Sequence, residues 1–131
     1  MSTKITVLVV EDDAFIRDIF QRSLERADFH VLAASHGKEA LAFFRKGGVA
    51  LVVTDILMPE LDGFQLIRAL KREAPALPVI AVSVINDLAN CRETAVELGA
   101  ELAVCKPVSP RDLVKMVQQF AVSPSVPAGL Q

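Results

Sequence analysis

Four short apolar runs in this chain each end in a polar or charged side chain. Val7-Leu8-Val9-Val10 runs into Glu11-Asp12-Asp13, and Ala50-Leu51-Val52-Val53-Thr54 ends at Asp55, before Ile56-Leu57-Met58-Pro59. Val79-Ile80-Ala81-Val82 ends in Ser83, and Leu102-Ala103-Val104-Cys105 in Lys106-Pro107. Runs this short and this apolar suit strands buried on both faces, and α/β proteins hold ligands at the carboxyl ends of such strands.

Helical patterns fill the spaces between. Residues 14–27 put Phe15, Ile16, Ile19, Phe20 and Leu24 on an expected inner face. Residues 29–34 form a short strand, and 37–46 a helix with Ala40, Leu41 and Phe44 inward, stopped by Gly47-Gly48. Asp62-Gly63 opens a helix carrying Phe64, Ile67 and Leu70, which Pro75 and Pro78 prevent from continuing. A helix over 87–98 closes at Gly99, residues 101–105 form the last strand, and Ser109-Pro110 caps a helix buried through Leu113, Val117 and Phe120.

Five strands alternating with five helices predict an α/β fold, a doubly wound parallel sheet with helices on both faces. The commonest strand order at this size is 2-1-3-4-5, the flavodoxin/CheY-like arrangement. The 131 residues suit one domain over 1–121, with 122–131, rich in Ser, Pro and Gly, as a flexible tail or linker start. A formal net charge of −2 offers no bulk attraction for nucleic acid or anionic membrane. No apolar stretch approaches membrane-spanning length and no charged-then-apolar leader follows Met1, so the expected compartment is the cytoplasm. Cys91 and Cys105 have no metal or redox spacing and read as small apolar residues. His30 and His36 lack ligand-spaced partners and read as surface or loop residues.

With strands one and three adjacent, Glu11, Asp12 and Asp55 converge. Crowded carboxylates need a counter-charge, and an oxygen-rich, partly hydrated site suits Mg²⁺. Strand four brings Ser83 and strand five Lys106 to the same edge. A carboxylate nucleophile, a divalent cation, a hydroxyl and an ammonium are parts for phosphoryl transfer. Asp13 reads as the cap of the first helix.

These motifs, taken in order with Met58-Pro59-Glu60-Leu61-Asp62-Gly63, resemble the receiver domain of two-component response regulators, over roughly residues 4–121. The resemblance implies that Asp55 accepts a phosphoryl group from a histidine kinase or histidine phosphotransfer protein. It implies Mg²⁺ held by Asp12, by Asp55, by the Leu57 carbonyl, and by Glu11 through a bound water. Ser83 would hydrogen-bond the phosphoryl oxygens, and Lys106, before a cis Lys106-Pro107 bond, would pair with Asp55 and then with the phosphoryl group. The domain would catalyse only its own aspartyl phosphorylation and dephosphorylation, then signal to an output domain or target protein, with dimerisation open. Two other readings are a receiver-like interaction module that works without phosphorylation and a phosphatase resembling the haloacid dehalogenases. The latter carry Asp-x-Asp after the first strand, where this chain has Glu11-Asp12-Asp13.

Two departures bear on mechanism. Many receivers carry Tyr or Phe three residues before the lysine; here that residue is Ala103, and the chain has no Tyr or Trp. Val84 is bulkier than the small residue usual after Ser83, and Leu57 and Ile85 cannot orient a water by side-chain hydrogen bonds. The missing ring suggests that activation is read from the Ser83 loop and the fourth helix, or is weakly coupled to the output face; Val84, Leu57 and Ile85 suggest a long-lived phosphoaspartate.

Overall fold

The computed structural model describes residues 4–56, 58, 62–83 and 88–121. Strands and helices alternate as β1 (Thr6–Val10), α1 (Ala14–Arg26), β2 (His30–Ala34), α2 (Gly37–Arg45), β3 (Val49–Asp55), α3 (Gly63–Glu73), β4 (Val79–Ser83), α4 (Leu88–Glu97), β5 (Leu102–Cys105) and α5 (Pro110–Phe120). The five strands form one parallel sheet in the order β2-β1-β3-β4-β5, as the alternation predicts. The tail expected over 122–131 lies outside the described residues.

Side chains alternate across each strand, so one sheet feeds two cores. Leu8, Val10, Val52, Val79 and Ala81 pack with Ala40 of α2, Leu66, Ile67 and Leu70 of α3, and Ala95 of α4. Val7, Val9, Leu51, Val53 and Val82 pack with Phe20 and Leu24 of α1 and Leu113 and Val117 of α5. That two-sided burial explains why β1, β3 and β4 read as unbroken apolar runs.

The helix ends follow local chemistry. Asp13 caps α1, its carboxylate accepting the N–H groups of Phe15 at 2.9 Å and Ile16 at 3.1 Å. Asp62 and Gln65 form a reciprocal capping box on α3, and Ser109 accepts the Asp112 N–H on α5. His36, expected only as a surface or loop residue, caps α2 by accepting the Glu39 N–H at its Nδ1, 3.2 Å away. Gly47 and Gly48, at φ +93° and +88°, end α2 in the left-handed region that glycine enters without strain.

One expected core residue is misplaced by the sequence pattern. Phe15 is 74% exposed. At about 100° per residue it lies roughly 160° around α1 from the Phe20–Leu24 axis, so helical angle turns this apolar side chain outward. Phe64 and Phe120 are only half-buried, at the borders of the two cores.

Candidate functional site

Strand register builds the site. Val10 pairs with Thr54, so the next residue on each strand, Glu11 and Asp55, reach the same edge of the sheet. Asp55 pairs with Val82, and Ser83 with Cys105, which brings Ser83 and Lys106 to that edge in turn. The Ser83 side chain and all of Leu57 lie outside what the structure describes, as do Val84 and Ile85.

Glu11 and Asp55 are 2% and 3% exposed, an unusual depth for carboxylates. Asp12 is exposed beside them. One carboxylate oxygen from each of the three lies within 4.8 Å of the others, so Glu11, Asp12 and Asp55 could together hold a cation. Lys106 Nζ reaches two of them, at 2.9 Å from Glu11 Oε1 and 3.0 Å from Asp55 Oδ2. Glu11 Oε2 accepts the Asp13 N–H at 3.0 Å. Asp55 Oδ1 is buried and meets no hydrogen-bond donor among the described residues. A buried acceptor left this way is costly unless a ligand satisfies it, and an oxygen-only donor set fits a hard divalent cation.

Burial pushes the Asp55 carboxyl up to about 7, reinforced by the charge on Glu11 and the closeness of the Asp12 carboxylate, against the pull of Lys106. Burial lowers Lys106, but its bonds to Glu11 and Asp55 outweigh this and raise it above the ordinary lysine value. Two buried carboxylates thus share a single ammonium.

The backbone around these groups is tightly held. Thr54 Oγ1 donates to the Asp55 carbonyl at 2.9 Å, and the Gly63 N–H donates to the Ile56 carbonyl at 2.7 Å. The Lys106-Pro107 peptide is cis, as the family resemblance implies. Two contacts escape sequence reasoning: the Lys106–Glu11 pair, and Arg17, whose Nη1 donates to the Glu11 carbonyl at 2.8 Å.

The model of the response regulator receiver domain family matches residues 7–118. The chain belongs to that family. Among curated relatives, this receiver domain is 40% identical over 107 residues to a probable transcriptional regulator ycf27 of Porphyra purpurea, covering 82% of this chain and 43% of that protein. It is 36% identical over 122 residues to a putative two-component response regulator ARR21 of Arabidopsis thaliana, covering 92% of this chain and 19% of that protein. The receiver domain therefore spans less than half the length of these relatives. A solved receiver domain protein from Clostridium thermocellum is 30% identical with a TM-score of 0.82, covering 88% of this chain and 93% of that one. The Vibrio cholerae chemotaxis protein CheY4 is 26% identical with a TM-score of 0.83, covering 90% and 99%. Among the described residues no helix is long and apolar enough to cross a membrane.

Proposed function

We propose that Asp55 is the phospho-acceptor of this receiver domain, charged by a histidine kinase or histidine phosphotransfer protein. The observation that carries this reading is Asp55 itself: a buried carboxylate with Lys106 on one oxygen and, among the described residues, no donor on the other. A carboxylate oxygen of Asp55 attacks phosphorus as the P–N bond of the donor's phosphohistidine breaks, and the imidazole nitrogen keeps the bonding electron pair. Lys106 offsets charge on Asp55 before transfer and on the phosphoryl oxygens after it. Asp12, Asp55 and the Leu57 carbonyl would hold Mg²⁺, with Glu11 acting through water. When bound there, Mg²⁺ supplies the positive charge that steadies the transferring phosphoryl oxygens. Ser83 would donate its hydroxyl to the same oxygens.

The domain turns over no external substrate in this reading; it phosphorylates and dephosphorylates itself, and signals to a target protein or an output domain. The reading takes 1–121 as the receiver unit in a cytoplasmic setting, with 122–131 as a tail or linker. The greater length of the curated relatives supports an output segment elsewhere in the parent protein.

Intact mass after incubation with acetyl phosphate and Mg²⁺, beside Asp55→Asn, tests the proposal. One added phosphate that requires both Mg²⁺ and Asp55 is expected. No adduct on a folded, Mg²⁺-binding chain would favour an interaction module independent of phosphorylation.

A further inference from the structure

We propose that Arg17 is a positioning residue for the acidic turn at the end of β1, holding Glu11 and Asp12 in the arrangement that takes a divalent cation. The inference rests on the reading of these residues as the Mg²⁺ site.

Arg17 lies in the first turn of α1, a turn with no acidic residue. A cation there opposes the helix dipole, which favours negative charge at a helix start. Its side chain turns back along the helix, and Nη1 donates to the Glu11 carbonyl at 2.8 Å, with a longer approach to the Asp12 carbonyl at 3.5 Å. The Glu11 N–H is already fixed on the Ala34 carbonyl at 3.0 Å, and the Asp13 N–H on the Glu11 carboxylate at 3.0 Å. Arg17 supplies the remaining tie. With it, both backbone polar groups of Glu11 are anchored, one to β2 and one to α1. Without it, the Glu11–Asp12 peptide that leads into the exposed Asp12 would lose this restraint, and binding would have to order it each time.

The sign of the effect separates positioning from plain electrostatics. As a bystander cation, Arg17 would repel a second cation, and removing it would tighten Mg²⁺. As a positioning residue, removing it loosens Mg²⁺, by about tenfold if it behaves like partners that orient metal ligands elsewhere. Arg17→Lys keeps the charge and one donor but lacks the planar fork, so it should loosen binding less.

The chain has no Trp or Tyr, so Mg²⁺ is best titrated by amide shifts of the ¹⁵N-labelled full chain, comparing wild type, Asp12→Asn, Arg17→Met and Arg17→Lys. The expected order of affinity is wild type, Arg17→Lys, Arg17→Met, with Asp12→Asn impaired. Unchanged or tighter binding by folded Arg17→Met overturns the positioning role. If Arg17→Met does not fold by circular dichroism, Arg17→Lys decides alone, and wild-type affinity in it overturns the proposal. If wild type gives no shifts at 11–13 and 55, or Asp12→Asn binds like wild type, the metal-site reading itself fails and this inference falls with it.

Discussion

Lys106 Nζ lies 2.9 Å from Glu11 Oε1, as close as it comes to Asp55, so the ammonium serves as counter-charge to both carboxylates. Glu11 and Asp55 side chains are each 3% exposed while Lys106 stands over them, so removing the lysine leaves two mostly desolvated carboxylates facing each other. Truncating one partner of a buried ion pair typically costs about 3–5 kcal/mol, because a desolvated charge is left behind. Lys106→Ala should lose stability on that scale in urea unfolding with EDTA. Mg²⁺ should recover part of the loss, since a ligand that binds only the folded state adds to its stability. A deficit that is small and indifferent to Mg²⁺ would show that the two carboxylates do not depend on Lys106.

The pH dependence has a fixed sign. Asp55 titrates near 7 in the fold, mainly through burial, against an ordinary value of 3.8. Between those values the folded chain holds a proton that the unfolded chain has released. The contribution of Asp55 to stability without metal therefore falls as pH rises from about 4 to about 7, then levels off. Lys106 is raised above 10.5 and adds nothing to this window, because its contribution is lost only at higher pH. Asp55→Asn removes the carboxyl, so its advantage over wild type should be near zero at pH 4. It should grow to at most about 4 kcal/mol at pH 8, at 1.36 kcal/mol per pH unit. Parallel stability curves for the two proteins across this range would refute the assignment.

Much of this architecture is legible in the chain because each element repeats a local rule. Apolar runs with polar ends locate β1, β3, β4 and β5, and Asp13, Asp62 and Ser109 mark helix starts by ordinary capping chemistry. The convergence of Glu11, Asp12, Asp55 and Lys106 follows once β1 and β3 are neighbours, which the topology supplies. What stays hidden is the choice of partner within the cluster. A lysine just past the end of β5 can reach either carboxylate, and only three-dimensional placement shows that it reaches both. Arg17 is invisible for a similar reason: its acceptors are backbone carbonyls, which carry no sequence signature. Phe15 misleads because it is apolar yet lies at a helical angle that faces solvent, and the capping role of His36 is hidden because imidazole is an uncommon cap.

Gly63 marks where α3 crosses the end of β3. A Cβ there would stand 2.4 Å from the Asp55 carbonyl oxygen and 2.5 Å from the Ile56 Cα, both backbone atoms that cannot rotate away. Overpacking of this kind costs about 1–3 kcal/mol, here relieved only by moving the peptide that carries Asp55. Gly63→Ala should lower the urea midpoint and slow acetyl phosphate labelling of Asp55 more than the stability loss explains. Gly48→Ala is the control: nothing lies within 4 Å of its Cβ, so only the strain of a positive φ remains, far from the site in sequence. Equal labelling rates in folded Gly63→Ala and wild type would show that the close approach does not position Asp55.

Ala103 bears on how a change at Asp55 could be passed on. It is 4% exposed in β5, within the core that includes Ala81, Ala95 and Ala100. A methyl group has no side-chain torsion to change, so β5 holds no ring that could swing between an outward and an inward position. The expected route for a signal from Asp55 is then backbone movement next to Ser83 and α4. On phosphorylation with acetyl phosphate and Mg²⁺, amide shifts should be large around Asp55, Ser83 and Lys106 and small from Leu102 to Val104. Shifts along β5 as large as those beside Ser83 would mean that the strand moves as a body, and that the missing ring is no barrier to signalling through that face.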